Sequence, residues 1–564
     1  MIRKQENFFQ KNKKKLTLIA AIAIFSIGLF LRTYHFHDWL NFESDQARDA
    51  SIVENVVDKG GHWPLLGPDM SHSQDSGVRF HVGPMYYYFQ IISGRIFGAL
   101  PETAAYPDLL FAILSIPLFY LFLKRCFSDN LSLTLTGLYA VSFYIIQYSR
   151  FAYNTNPIPF FVILFLLALL EFLDKREKVS WTWVVLAGIA LGVGVQLHVT
   201  LLVVFPVIAF FVFFHLAKNN RQILEKLGVV VLVALILNLG QLIYEAKNNF
   251  ENSKVFFHSI ARPDLKSTNS LPLKLAMDAD CQLQANFHIL SSMGDKVSCD
   301  YSLITLTDPK LSLFSLNSIG DYYGCAVNFL GTIGIYTKNL LLFLEIIFSI
   351  FGYSLLVYRF RKESGKKKQF LGLAILYCSV SFLVIMPVIG DSPLRYFLLS
   401  FFAPYIFLGL LGEYAIKRFR FGLFLVALVF LFLTASNYFS LKSVAGDLAA
   451  EKRSGSLVCG PDTIVLGEIE PMAGFITQES HRQGAAYLLH TSRYTFFNPI
   501  KYLSQKDGMT LSLITGKELP NIPPGAPLFY FSENLFIDPS FLIYGRKIEN
   551  YRNFSRVTIY ELQN

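Results

Sequence analysis

The stretch NFESDQARDA gathers Glu43, Asp45, Arg48 and Asp49. Asp45 and Asp49 are four residues apart, so a helix would carry both carboxylates on one face. The plainer reading is a solvated helix start, where acids favour the positive N-terminal end. Further on, GPDMSHSQDSGVRFHVGPMYYY holds Asp69, His72, Asp75, Arg79 and His81, and YSRFAYNTNP holds Arg150, Asn154 and Asn156. GVQLHVT carries His198, and GDSPLRYF carries Asp391, Arg395 and Tyr396. A carboxylate can take the proton of an attacking hydroxyl. Arginine binds phosphate through charge-assisted, often bidentate hydrogen bonds. Taken singly, His198 or Arg395 reads as an interfacial anchor. Together these residues describe a polar cavity at a membrane surface, suited to an acceptor hydroxyl and a lipid phosphate.

The elements that must position them are set by composition. The chain has 564 residues, 53% hydrophobic and 16% charged, with 54 Phe and 29 Tyr, and a mean hydropathy of +0.41. Its apolar residues fall in runs of roughly 17–25, the length that crosses ~30 Å of hydrocarbon as helix. A soluble enzyme, a disordered chain and a small disulfide scaffold are excluded. The net charge of +9 does not point to nucleic acid, because Lys and Arg sit in short gaps between apolar runs and not on one folded face.

About eleven spans are expected, at 16–34, 106–123, 131–149, 157–173, 181–197, 200–216, 226–244, 338–358, 370–388, 395–413 and 421–438. With a cytoplasmic N-terminus and an uncleaved first anchor, the gaps 124–130, 174–180, 217–225, 359–369 and 414–420 all fall inside. Each is richer in Lys and Arg than in acids, as the positive-inside rule requires. Segment 83–100 is short and contains Gln90 and Arg95, so it reads as an interfacial or re-entrant helix on the outer side.

The expected organisation is a multi-span domain at 1–440 with outer loops 35–105 and 245–337. A small extracytoplasmic α/β domain follows at 441–564. In the tail, β-like runs GFITQ, TLSLIT, PLFYFSE and RVTIYEL accompany a helical patch near HRQGAAYLLH. Cys281, Cys299 and Cys325 share an outer loop, where a disulfide is plausible but spacing cannot choose the pair. Cys126 and Cys378 read as apolar filler.

At FESDQARDASIVENVVDKGGHWPLLGP, FHVGPMYYYF and YSRFAYNTNPIPFF the chain resembles the bacterial GT-C membrane glycosyltransferases of family 39, relatives of protein O-mannosyltransferases and aminoarabinose transferases. GVQLHVTLLVVFPV, IYEAKNNFENSKVFF and LRYFLLSFFAPYIFLG extend the resemblance through residues 1–415 in the family's order. It implies that Asp45 is the catalytic acidic residue of the first outer loop, acting as the base. Relatives often follow that Asp with Glu, where this chain has Gln46, and often carry an Asp where it has Asn154 and Asn156. The resemblance fixes no cofactor; a divalent cation, with Asp75, Glu43 or Asp49 standing in for the missing Asp, is the candidate it leaves open.

The expected activity is transfer of a sugar from a polyprenyl-phosphate donor to an acceptor hydroxyl on a protein, lipid or envelope glycan, at the outer face of the plasma membrane. One displacement would invert the anomeric carbon. Arg150, Arg395, Tyr396 and His81 would hold the lipid phosphate, and Glu43, Asp75, Asn154, Asn156 and His198 would orient acceptor or sugar. A transporter or flippase of lipid-linked sugars would need ionisable groups near mid-membrane. A non-catalytic scaffold would leave the polar convergence without a purpose.

Overall fold

The computed structural model describes residues 2–70, 80–218, 220–261, 270–292, 333–387, 394–449, 464–480, 484–489, 496–533, 537–554 and 557–564. The first of these residues form α1 (Ile2–Thr33), α2 (Ser44–Val57), α3 (Met85–Phe97), α4 (Pro101–Leu123), α5 (Asp129–Val141), α6 (Phe143–Gln147) and α7 (Ile158–Lys175). Next come α8 (Trp181–Leu197), α9 (Val199–Ala217), α10 (Arg221–Leu237), α11 (Leu239–Lys247), α12 (Glu251–Ala261) and α13 (Leu271–Ser291). The bundle closes with α14 (Ile333–Lys362), α15 (Gly365–Ile385), α16 (Ala403–Arg418) and α17 (Gly422–Ala449).

Among the described residues, five helices are long and apolar enough to cross a membrane: Lys15–Thr33, Pro101–Leu123, Val199–Ala217, Gly365–Ile385 and Gly422–Gly446. The protein is therefore a multi-pass membrane protein. The run expected at 226–244 is α10 and α11 meeting at a 66° bend. There the Asn238 side chain donates to the carbonyls of Gly192 on α8 and Ala234 on α10 at 2.9 and 2.8 Å, tying the break to the neighbouring helix. Helices also stand at the remaining expected spans, though the one at 131–149 is divided into α5 and α6 at Ser142, and the one at 395–413 is a 3-10 helix over Leu394–Leu399 followed by α16 from Ala403. Segment 83–100 is α3, whose 13 residues extend only ~20 Å at 1.5 Å per residue.

The five basic gaps meet at one end of the bundle. Arg125 and Lys175 both pair with Glu171, and Lys366 pairs with Asp174 at 2.6 Å. Arg359 and Lys367 share Glu413 at 3.1 and 2.9 Å. Asn220 reaches Glu177 at 3.4 Å. Loops that the charge rule places on one side are thus joined by their own side chains. α4 runs from this end to the other, where α2 and α3 lie.

The loop after α11 is more structured than a simple outer connection. α13 repeats Met277, Cys281, Ala285 and Ile289 at four-residue steps, a stripe that buries one face. It seats in the bundle, where Ser142 donates to Ile289 O (2.9 Å) and Asn437 to Leu290 O (2.6 Å). Cys281 is disulfide-bonded; Cys299 and Cys325 lie outside the described residues. Cys126 and Cys378 are buried free thiols.

The tail forms α18 (Leu466–Ser480), β1 (Ala485–Leu489), α19 (Phe497–Lys506), β2 (Thr510–Ile514), β3 (Leu528–Glu533), β4 (Ile548–Phe554) and β5 (Val557–Leu562). The sheet order is β2-β1-β3-β5-β4, with β1 parallel to both neighbours and β5 antiparallel to both of its own. Two expectations exchange places. GFITQ lies inside α18, because Ile469, Met472, Ala473 and Ile476 recur at helical spacing on its buried face. AAYLL, in the expected helical patch, is the central strand β1.

This domain grips the loop ahead of α2. Phe42 N–H donates to Ile464 O and Leu466 N–H to Leu40 O, both at 2.8 Å. Gly467 N–H reaches Asp38 O at 3.1 Å, and a Cβ on Gly467 would stand 3.0 Å from that oxygen. Phe42 packs on Tyr502 (5.7 Å), Lys506 donates to Ala99 O (2.7 Å), and His37 lies between Glu102 and Glu470 at 3.5 and 3.2 Å.

Candidate active site

α2 begins with a reciprocal cap. Glu43 N–H donates to Gln46 Oε1 at 3.0 Å, and the Glu43 side chain accepts from the Gln46 backbone. Glu43, expected to orient substrate, is thus a helix cap. Gln46 also donates to Ala152 O at 3.0 Å, tying α2 to the 148–157 loop. The residue where relatives carry a second acid therefore positions the helix.

The cap fixes the faces of the next turn. Asp45 is 51% exposed and Asp49 is 3% exposed, and Arg48 spans them, bonding Asp45 at 2.9 Å and Asp49 at 2.8 Å. The four-residue step thus puts both carboxylates on one guanidinium. Tyr87 of α3 donates to Asp49 at 3.1 Å. Burial pushes Asp49 up to about 6, against the opposing pull of Arg48 and Tyr87. Beside it Tyr86 donates to Asp108 at 2.8 Å. Asp108 is a fully buried carboxylate in α4, inside a span read as apolar.

The 148–157 loop and the outer hairpin complete the site. Asn154 donates to Leu197 O at 2.5 Å and Asn156 to Phe151 O at 2.7 Å, so both amides hold backbone. His198 caps α9, its Nδ1 accepting from Thr200 N–H at 3.3 Å. Burial and then Arg395 push it down to about 3. It is a neutral imidazole with its proton on Nε2. The Tyr396 ring stands 4.9 Å from it. Arg395 lies over the Tyr153 ring at 5.0 Å.

Arg150 faces backbone carbonyls. It donates to the carbonyls of Leu31, Arg32, Tyr34 and His35 at 3.2, 3.2, 2.7 and 3.0 Å. It is a clamp on the end of α1, where carbonyls lack helical partners, and burial lowers it to about 10. His81 is likewise engaged. Its Nδ1 meets Gly67 O at 2.9 Å, and its backbone exchanges bonds with Asn252 of α12. Asp75 lies outside the described residues. Among those residues no group of three or more His, Cys, Asp or Glu is arranged to hold a metal ion. Asp49, one candidate ligand, is already bound to Arg48 and Tyr87.

Sequence spacing brought out Asp45, His198 and Arg395 but missed Tyr153, Tyr87 and Asp108. Tyr153 stands inside a quoted motif, yet nothing about its type or spacing separates it from the chain's other tyrosines.

Residues 81–244, from before α3 into α11, match the profile of the family described as dolichyl-phosphate-mannose-protein mannosyltransferase. No curated protein matches the chain by sequence. Among solved structures, ArnT from Cupriavidus metallidurans bound to undecaprenyl phosphate shares 13% identity over 98% of both chains, with a TM-score of 0.50. The apo state of that protein shares 12% identity over 98% of both chains, with a TM-score of 0.48. The helical bundle, the loop bearing α2 and the appended sheet domain together share the fold of that ArnT.

Proposed function

We propose that the protein transfers a sugar from a polyprenyl-phosphate donor to an acceptor hydroxyl, at the outer face of the plasma membrane and with inversion. The N-terminus is then cytoplasmic, and α2 and the sheet domain are outside. The observation that carries this reading is the meeting at one end of the bundle of an exposed carboxylate, Asp45, with Arg395, Tyr396 and a neutral His198. The undecaprenyl phosphate bound by the ArnT of similar fold supports a lipid-phosphate donor. The mannosyltransferase match supports sugar transfer.

In this reading Asp45 accepts the acceptor hydroxyl's proton as the new C1–O bond forms. The bond from C1 to the phosphate oxygen breaks on the opposite side, and its electron pair leaves with the lipid phosphate. Arg395 balances the charge gathering there, an electrostatic effect that often dominates such steps. His198 offers its Nε2–H to donor or acceptor oxygens. Arg150, Glu43, Asn154, Asn156 and His81 keep the surrounding backbone in place.

Asp49 gives the reaction an acid limb. Below about 6 it takes up a proton, and the Arg48 charge then falls on Asp45 alone, weakening it as a base. Turnover is expected to drop roughly tenfold from pH 7 to pH 5. Asp49→Asn should hold the low rate across that range, as a pH–rate profile would read. Ionising Asp49 works against the fold. The stability it contributes is full below 3.8 and lost as pH rises through about 6.

The test offers wild-type protein in nanodiscs a panel of undecaprenyl-phosphate hexoses and pentoses with an envelope extract. Release of undecaprenyl phosphate is followed by mass spectrometry, and the product anomer by NMR. Release with inversion is expected. No release from any donor by folded protein would overturn the proposal, and movement of intact donor across the bilayer would put a transporter in its place.

A further inference from the structure

Tyr153 has its backbone fixed from both sides. Gln46 of α2 holds the carbonyl of Ala152 before it, and Asn154 after it is anchored to Leu197 at the α8–α9 tip. Its own carbonyl accepts from Asn156 N–H at 2.9 Å. The loop that carries it is therefore tied both to α2 and to the α8–α9 tip. One ring face carries the Arg395 guanidinium at 5.0 Å. The hydroxyl lies within electrostatic reach of Arg395, Asp45, Tyr396 and Arg48, so carboxylate and guanidinium both act on one phenol. Burial, the largest influence, raises it above its ordinary value, which keeps the hydroxyl protonated and able to donate.

We infer that Tyr153 is a further catalytic residue, whose hydroxyl donates a hydrogen bond to the bridging phosphate oxygen of the sugar donor while its ring seats Arg395. The inference rests on the reaction proposed above. A sugar held between Asp45 and Arg395 turns its anomeric carbon toward the acceptor and its bridging oxygen toward the phosphate clamp. Tyr153 lies under that clamp, its ring against Arg395 and its hydroxyl within electrostatic reach of Asp45. The bridging oxygen gains negative charge as its bond to C1 breaks, so a fixed donor there acts more strongly in the transition state than in the bound donor. No proton need be transferred, because a phosphate leaves as its anion.

A ring that served only to support Arg395 would work equally well without its hydroxyl, and Tyr153→Phe separates the two roles. It keeps the aromatic face and removes the donor. With the panel member that wild type turns over fastest, kcat is expected to fall ~10²-fold, the scale of losing one preorganised donor. The KM for that donor should stay within about threefold, since the effect is confined to the transition state. Tyr153→Ala, which also unseats Arg395, should raise KM as well. A Tyr153→Phe rate within about threefold of wild type would overturn the inference while leaving the transfer reaction intact. If phenylalanine loosens the fold, 3-fluorotyrosine at position 153 retains ring and hydroxyl and donates more strongly. Its kcat should match or exceed wild type, and a fall beyond tenfold in a folded protein would equally overturn the inference. Failure of wild type to turn over any donor would instead remove the underlying reaction.

Discussion

Asp45→Asn is expected to lower sugar transfer ~10³-fold, within the range that loss of a general base produces, while leaving the protein folded. Asparagine occupies the same space and still offers Arg48 an oxygen, but it cannot take a proton. The fold has little at stake, because Asp45 is half exposed and exposed ion pairs contribute only ~0.2–1 kcal/mol. Measured by undecaprenyl phosphate release, a variant retaining more than a tenth of wild-type turnover would remove Asp45 from the chemistry. The variant should still bind donor, since Arg395, Tyr396 and His198 are untouched. A loss of donor binding equal to the loss of turnover would make Asp45 a binding group instead.

The second large effect falls on stability. Arg150→Ala strips hydrogen bonds from four carbonyls at the end of α1. Those of Leu31 and Arg32 are partly buried, and each buried acceptor left bare costs about 1–3 kcal/mol. A destabilisation of roughly 2–5 kcal/mol is expected once the lost cation at the helix C-terminus is included. Thermal unfolding in detergent would read it as a marked fall in Tm. Arg150→Lys should recover only part, because an ammonium lacks the planar fork that reaches carbonyls on both sides. If Arg150→Ala melted like wild type and lost only turnover, the arginine would be acting on the phosphate, as its position near the membrane surface first suggested.

That contrast shows where sequence reasoning reached its limit. Composition and charge located the apolar runs and the side on which basic gaps gather, because hydrophobic length and loop charge are local quantities. The bend at Asn238 was hidden, since a polar residue in an apolar run looks tolerable until its partners on α8 are seen. GFITQ and AAYLL were exchanged because short apolar runs fit strand and helix alike until burial reveals the period. At the site, Asp45, His198 and Arg395 stood out by residue type. Arg150 stood out equally, but whether a guanidinium faces phosphate or carbonyl depends on residues more than a hundred positions away. Asp49 and Asp108 were legible as acids but not as buried ones, and burial is what sets Asp49 apart from Asp45.

The grip of the sheet domain on the loop ahead of α2 bears on how the protein is born. His37 meets Glu470 across 433 residues of chain, a delay of roughly 20–90 s at ~5–20 residues per second of synthesis. The loop ahead of α2 thus leaves the ribosome long before the segment that holds it exists. In the proposed reaction, a nascent chain already inserted in the bilayer stays idle until its last hundred residues have folded onto that loop. On that proposal, completion of the polypeptide is its own activation step, and a chain cut short before Ile464 is expected to occupy the membrane without turning over donor.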